Sequence, residues 1–186
     1  MEADWEFEVG GDAPVIEAHW PGLVDLRQSP ERAGTLPEAA QVPALAQALA
    51  SLNAPGSPVW TSKCDVLPEL RPDEFDPGEL DASPEDAAHA MACYIDLLPS
   101  GEQEWNRPDQ AAAACKHMCI LLRAVPLSCS RVDLVIRRAC LTPDRADLGI
   151  TAYFTACGPN TRQARATLQA ALAAFAHVLQ VNSTLE

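Results

Sequence analysis

The sequence predicts an α+β fold in which an antiparallel or mixed sheet carries its helices mainly on one face. Two patterns lead to this prediction. Several short segments alternate apolar and polar residues with the period of two that a half-buried strand requires, and others repeat apolar residues at the helical period of 3.6. The length of 186 residues suits one domain of about 150 residues with a short appendage. We expect residues 1–180 to form that single domain.

The first predicted elements are two strands. Apolar residues alternate with polar ones over residues 5–9 and again over residues 16–20. The Gly10-Gly11-Asp12 sequence between them is typical of a tight turn. We therefore expect a β-hairpin over residues 4–20.

A helical region is predicted next. Thr35 and Glu38 have the spacing of a capping box, in which two residues at a helix N-terminus bond each other's backbone. Pro43 lies inside this region, so the helix must bend or restart there. The large apolar residues of the region fall on one helical face, which indicates its buried side: Val42, Leu45, Leu49 and Leu52.

The middle of the chain is predicted to contain two strands joined by an acidic, proline-rich loop. Residues 59–67 form the first strand, with Trp60 and Cys64 on the same side. Residues 68–84 are the loop. Alternating apolar residues over 91–98 predict a second, buried strand.

The second half of the chain continues with helices and strands in alternation. A helix is expected from about Pro108 to just before Pro126, followed by strands over 131–138 and 150–156 and by a final helix from Asn160 or Thr161. With the strand at 91–98 they form a βαββα core over residues 90–180. A ferredoxin-like arrangement is a near relative of that order.

Charge is distributed unevenly along the chain. The formal net charge is −13, from 26 acidic and 13 basic residues. The acidic, proline-rich half (residues 1–104) carries a net charge of −17, and residues 105–186 carry +4. Within the second half, residues 105–180 are mildly basic, and residues 181–186 are expected to be a tail whose final Leu-Glu resembles a cloning scar. The acidic half should face either a basic partner or the protein's own basic half.

The composition also bears on the compartment. No segment has the 18 or so consecutive apolar residues of a membrane helix, and the first residues lack the basic and apolar regions of a signal peptide. Seven cysteines, an odd number without an export signal, indicate reduced thiols. We expect a cytoplasmic protein that does not bind membranes.

The acidic residues concentrate in one segment. Residues 65–86 contain nine acids and a single base. A calcium loop that starts at Asp73 would need oxygen ligands where Phe75 and Pro77 stand, so calcium binding is not favoured. Two interpretations remain, an acidic arm that meets a basic protein surface and a solvated loop anchored by Phe75 and Leu80. The first makes candidate binding residues of Asp73, Glu74, Asp76 and Glu79.

Cys115 and Cys119 come nearest to a metal site. Four residues apart on a helix, they share a face, while His117 points away from them. The sequence holds no Cys-x-x-Cys pair that would complete a zinc site. Both cysteines share the apolar stripe with Leu122, so core packing is favoured and a metal or redox site is the alternative. No cofactor is predicted.

Cys64 is the candidate nucleophile. A neighbouring cation lowers the pKa of a thiol and generates the reactive thiolate. In an extended strand, however, Lys63 projects to the opposite face from Cys64. A histidine would also have to approach from elsewhere as the base. A buried strand cysteine beside Trp60 is therefore the favoured interpretation.

Arg131, Arg137 and Arg138 lie on one predicted strand, and Tyr153 faces outward on the next. Arginine and aromatic side chains on a sheet surface hold bases in several RNA-binding modules. The aromatic-rich strand pattern of those modules is missing and the net charge repels phosphates, so no nucleic-acid partner is predicted. An alternative within the chain is that Arg137 or Arg138 pairs with an acid of the loop.

The motifs of several enzyme classes are absent from the sequence. It has no glycine-rich phosphate loop, no His-Glu-x-x-His and no Gly-x-Ser-x-Gly. We therefore expect a soluble acidic protein that acts by macromolecular binding or self-association and masks a basic partner surface. The alternative is a small-molecule enzyme whose site lies between the two halves and uses Cys64 or Asp96 with Arg137. The remaining candidate binding residues are Trp60, Tyr94 and Arg131.

Overall fold

The computed structural model describes residues 1–67, 69–71, 73–100, 105, 107–142 and 145–182. Its strands are β1 (Glu2–Glu8), β2 (Val15–Glu17), β3 (Val59–Val66), β4 (His89–Pro99), β5 (Ser130–Thr142) and β6 (Arg145–Gly158). Its helices are α1 (Pro37–Gln41), α2 (Pro43–Leu52), α3 (Pro108–Arg123) and α4 (Thr161–Asn182). Short 3-10 helices span Pro30–Thr35 and Pro77–Leu80.

The described strands form one six-stranded mixed sheet, so the predicted α+β fold is confirmed. The strand order is β1-β5-β6-β4-β3, and β2 pairs with β5 beyond the end of β1. Since β4 and β5 are each antiparallel to β6, they run in the same direction with β6 between them. This is the split βαβ arrangement of ferredoxin-like folds. The position beside β4 is taken by β3, which precedes this unit in the chain.

The predicted hairpin over residues 4–20 is wrong. β1 and β2 do not pair with each other; both run parallel to β5, opposite Arg131–Arg137 and Arg138–Cys140 respectively. A turn does form at the glycines, where the Ala13 N–H donates to the Gly10 carbonyl oxygen at 3.0 Å. The chain then returns to the same edge of β5 and runs on in the same direction, so β2 continues the line of β1.

The main hydrophobic core lies on the face of the sheet that the four described helices cover. Cys93, Ile95 and Leu97 of β4 are fully buried there. Phe154 of β6 meets Phe175 of α4 edge to face, with ring centroids 5.0 Å apart. Burial of each such large side chain contributes about 1.5–3 kcal/mol. The helices thus pack on one face, as predicted.

The first helical region restarts at a proline. α1 ends at Gln41 and α2 begins at Pro43, because proline has no N–H to continue the helix. The predicted capping box does not form: the Thr35 hydroxyl donates to the Arg32 carbonyl oxygen instead, at 2.7 Å. The predicted apolar face is buried in full, at Val42, Leu45, Leu49 and Leu52.

The opposite face of the sheet, here called the open face, is covered only at its two ends within the described residues. At one end Ile16, Trp60 and Leu98 pack together. Gly149 lies beneath them, and a Cβ atom there would be 2.8 Å from Cδ1 of Ile16. At the other end the acidic segment is anchored by buried Leu80 and partly buried Phe75, as the loop interpretation predicts.

A β-bulge in β3 alters the predicted sides of that strand. The pairing with β4 shifts register between Thr61 and Cys64. Trp60 consequently packs on the open face, whereas Cys64 packs against the main core. The prediction that the two residues share a side is therefore wrong, since one extra residue reverses the alternation.

α4 continues through Asn182, so the first two residues of the predicted tail are helical. Residues 183–186 lie outside the described part of the chain. Over the ranges that the structure describes, no helix has the length and apolarity to cross a membrane.

Candidate functional site

Polar side chains form a connected network in the middle of the open face. Thr151 Oγ1 donates a 2.6 Å hydrogen bond to Asp96 Oδ1. Arg137 donates to the Tyr153 hydroxyl at 2.9 Å and to Thr151 Oγ1 at 3.4 Å. Its remaining nitrogens bond Glu8 Oε2 at 2.6 and 2.8 Å. We call these five residues the sheet-face network.

Strand register positions the network. Asp96 of β4 lies directly opposite Thr151 of β6, and Glu8 of β1 lies opposite Arg137 of β5. Tyr153 is the next residue of β6 on the same face, because side chains alternate between faces. Its ring centroid is 5.8 Å from that of Tyr94. The network therefore crosses four adjacent strands.

Asp96 is the buried acid of the network, with 7% of its surface exposed. Burial raises the pKa of its carboxyl above the ordinary value of 3.8, and the bond from Thr151 and the charge of Arg137 only partly oppose this. Burial also raises the pKa of Tyr94, to which the charge of Asp96 adds. A buried carboxyl with a raised pKa beside an arginine can exchange a proton with a bound ligand.

Acidic residues line the edge of the open face. Alternation along β1 places four carboxylates on this side, those of Glu2, Asp4, Glu6 and Glu8. Asp133 of β5 and Glu79 of the acidic segment lie beside them. We call these six residues the acidic face. Arg131 and Arg137 lie among them, and Arg123 of α3 comes within 3.9 Å of Asp4.

A shallow cleft of about 260 Å³ opens on the acidic face. It is lined by Asp4, Glu6, Arg131 and Asp133, among others. Arg131 Nε donates to Asp133 Oδ1 at 2.7 Å. Burial raises the pKa of Asp133, and the charges of Asp4 and Glu79 add to the rise while Arg131 opposes it. The cleft therefore favours a cationic group.

The four predicted acids of the loop all have contacts within the chain. Glu74 bonds Arg71 at 2.9 Å, and Asp73 lies 3.7 Å from the same guanidinium. Asp76 accepts from the Gly78 N–H at 2.8 Å, and so caps a 3-10 helix. Glu79 lies 3.6 Å from Arg131. The last contact pairs an acid of the loop with an arginine of β5. The sequence predicts such a pair within the chain, but with Arg137 or Arg138 in place of Arg131.

The predicted partners of the other two arginines also differ. Arg137 pairs with Glu8, which belongs to β1 and not to the loop. Arg138 donates to the backbone carbonyl oxygens of Gly11 and Ala13, at 3.0 and 3.2 Å. It therefore holds the turn between β1 and β2.

A second cleft, of about 240 Å³, lies beside β3 and includes Cys64, Tyr94, Glu38 and Lys63 in its lining. Burial raises the pKa of the Cys64 thiol to about 12, and the charges of Glu38, Asp65 and Asp96 add to this. Lys63 is turned toward Glu17, at 3.8 Å. The thiol is therefore protonated near neutral pH, which is the opposite of an activated nucleophile.

Cys115 and Cys119 are both buried in the main core on α3. Burial raises the pKa of both thiols, that of Cys119 to about 11. Among the described residues, no group of three or more histidine, cysteine or acidic side chains is arranged to hold a metal ion.

The structure brings together some of the predicted site residues and separates others. Tyr94, Asp96 and Arg137 share the middle of the open face. Trp60 lies at its covered end, under the Arg27 guanidinium at 4.0 Å, and Cys64 faces the other side of the sheet. Sequence reasoning missed Glu8 and Thr151. Period-two alternation marks their faces, but only the pairing of distant strands makes them neighbours of Arg137 and Asp96.

The chain was compared with known protein families, curated proteins and solved structures, and none of them matched it. The geometry and charge of the open face are therefore the features from which a function can be inferred.

Proposed function

We propose that the protein acts by binding a partner with a basic surface, and that the acidic face is its contact region. One observation carries this proposal. Glu2 and Glu6 are exposed on β1, and no cationic side chain of the described residues lies within ion-pair distance of either. Arg131 and Arg137 are already engaged by Asp133 and Glu8. The face therefore keeps negative charge that the protein itself does not neutralise.

The acidic segment enlarges this region. Glu79 approaches Arg131 from the loop, and both Glu79 and Asp73 keep more than half of their side chains exposed. Because both carboxylates are exposed, their contacts with Arg131 and Arg71 contribute about 0–1 kcal/mol each and are readily exchanged for a partner's cation. Electrostatic steering by such a surface speeds association and weakens with salt.

The proposal places the protein in the cytoplasm. None of its seven cysteines, which all lie in the described part of the chain, forms a disulfide, and this supports a reducing compartment.

Titration of the full chain with a heptalysine peptide tests the proposed function. The double variant Glu2→Gln/Glu6→Gln removes two exposed charges from the acidic face, and Glu31→Gln/Glu85→Gln removes two exposed charges outside it as the matched control. We expect the first variant to bind roughly 2- to 30-fold more weakly, at about 0.2–1 kcal/mol for each exposed charge pair, and the control to bind as the wild type does.

Binding should also weaken steeply as salt rises from low to physiological concentration. Equal losses in both variants would show that net charge, and not this face, attracts the peptide. Absence of salt-dependent binding would overturn the proposed function.

A second candidate function is a small-molecule site at the sheet-face network. The buried Asp96 favours it, because burial raises the pKa of its carboxyl while the bond from Thr151 fixes its position near Arg137. A thermal-shift screen with small carboxylic acids tests this. A ligand whose stabilisation disappears in Asp96→Asn but persists in Cys64→Ser would support the network as the site. Stabilisation that survives Asp96→Asn would exclude it.

A further inference from the structure

The outer edge of β1 is open within the described residues. β1 ends the strand order, and its one neighbour in the sheet is β5. Unpaired backbone groups along a sheet edge form a ready template for another strand. The edge must therefore be either blocked by local contacts or available to a partner.

Local contacts block only the first part of this edge. Arg123 Nε donates to the Ala3 carbonyl oxygen at 2.8 Å, and Asp4 Oδ1 accepts from the Trp5 N–H at 2.8 Å. Both contacts require backbone groups that point away from β5. Since backbone groups point outward at every second residue of a strand, the N–H and C=O of Phe7 point outward as well. Among the described residues, neither group has a hydrogen-bond partner outside the sheet.

Exposed apolar side chains accompany this open part of the edge. Phe7 and Val9 are 41% and 40% exposed, and Phe7 packs edge to face on Trp5. Ile120 of α3 is 65% exposed. Along α3 it lies between Lys116 and Arg123. The Lys116 Nζ is 5.4 Å from the Trp5 ring, and Arg123 donates to the Ala3 carbonyl oxygen. These side chains form an apolar shelf on the helix side of the edge.

The opposite side of the same edge is acidic. Glu6 and Glu8 alternate with Phe7 and point to the open face. A strand added here would have one side against the apolar shelf and the other against these carboxylates. The matching segment alternates apolar residues with lysine or arginine.

A second copy of the chain does not match this edge. Antiparallel pairing of two β1 strands about Phe7 would place Glu6 of one copy against Glu8 of the other. Like charges directly opposite each other in a sheet are destabilising.

We propose that the edge of β1 from Trp5 to Val9 accepts an extended segment of a partner protein as an additional strand, and that this segment alternates basic and apolar residues. The inference rests on the proposed function, which it deepens by naming how the partner is held. Main-chain bonds to Phe7 give the affinity, while the shelf and the acidic row select the sequence.

Isothermal titration of the full chain with a seven-residue peptide of alternating lysine and valine tests the proposal. One control peptide carries N-methyl groups on alternate backbone nitrogens, and a second has the same composition with all lysines at one end. We expect the N-methylated peptide to bind about 5- to 30-fold more weakly, as loss of one or two hydrogen bonds implies. The second control keeps its backbone donors but loses the alternation, so it should also bind more weakly than the parent peptide.

Two protein variants distinguish the contribution of the Phe7 backbone to binding from that of the Phe7 side chain. Phe7→Pro removes the outward N–H, which an edge strand tolerates, and Phe7→Ala keeps it. Binding should fall further in Phe7→Pro than in Phe7→Ala, with both variants still folded by circular dichroism.

Each outcome decides one of the two claims. If the N-methylated peptide binds as tightly as its parent, strand addition is overturned while the acidic face stands as the binding region. If no lysine-containing peptide binds, the proposed function fails as well. A dimer in sedimentation that Phe7→Pro dissociates would overturn the partner segment in favour of a second copy.

Discussion

The Thr151 hydroxyl and the Asp96 carboxyl are joined by a 2.6 Å hydrogen bond across the two central strands β6 and β4. The bond lies on the open face of the sheet, opposite the main core, so Asp96 takes no part in the packing of that core. It connects Asp96 to Arg137 and, through Arg137, to Glu8 at the sheet edge. The polar centre of the open face and its acidic edge therefore form one continuous network.

Thr151→Val should destabilise the protein. The substitution keeps the shape of the side chain but leaves the buried Asp96 carboxyl without its donor, which costs about 1–3 kcal/mol. Urea unfolding of the wild type and the variant measures the loss. Thr151→Ser retains the hydroxyl and serves as the control, and a loss as large in Thr151→Ser would show that packing of the methyl group matters more than the bond.

Asp96→Asn should change the pH dependence of stability. Because the folded-state pKa of Asp96 is raised by burial, the folded protein holds this proton more tightly than the unfolded chain. The wild type therefore loses stability as pH rises from the ordinary value of 3.8 through the folded pKa, and the cost stays constant above that range. Asparagine does not titrate, so the free energy of unfolding of the variant should rise relative to that of the wild type across this window. Urea unfolding at a series of pH values measures the difference. If the wild type instead became more stable relative to the variant as pH rises, the pKa of Asp96 in the folded protein would be lowered.

The thiols should differ strongly in reactivity. Cys140 is exposed and should react first with an aromatic disulfide reagent at neutral pH. Cys64 should react slowly, because burial holds its pKa near 12, and buried Cys93, Cys115 and Cys119 should react only on unfolding. Mass mapping of partly labelled protein identifies the order, with urea-unfolded protein as the control for full labelling. Rapid labelling of Cys64 would restore it as a nucleophile candidate.

Gly149→Ala should be costly, whereas Gly10→Ala should not. A Cβ atom at position 149 would lie 2.8 Å from Ile16 Cδ1 and 3.0 Å from the Leu97 carbonyl oxygen. Overpacking of this kind costs about 1–3 kcal/mol. At position 10 nothing lies within 4 Å, so the change should stay within about 0.5 kcal/mol. Equal stability of the two variants in urea unfolding would contradict the close packing of Ile16 over the sheet.

Local patterns predict most elements of this fold, because the period of apolar residues depends on near neighbours. The helices α2, α3 and α4 and the hairpin of β5 with β6 follow from such patterns. The two N-terminal strands also follow from alternation, but their pairing does not, since their partner β5 lies more than 120 residues away and local turn signals indicate a hairpin instead. The bulge in β3 has no sequence signal of its own, and it reverses the face of Cys64.

The candidate site is predictable to a similar extent. Alternation places Tyr94 and Asp96 on one face of β4, and the structure agrees. Arg137 joins them only because β6 separates β4 from β5, and Glu8 joins Arg137 only because β1 adds to the sheet edge in parallel. The loop acids Asp73 and Glu79 are conspicuous in the sequence, but the unmatched charge that carries the proposed function belongs to Glu2 and Glu6.

The most direct test of partner binding at the β1 edge is an amide NMR titration of the full chain with the alternating lysine–valine peptide. The proposal predicts the largest shifts at residues 5–9, together with slowed hydrogen exchange at the Phe7 amide. Shifts confined to the Cys64 cleft or to the helix side, or no shifts at all, would contradict the claim that the acidic edge of the sheet holds a basic partner.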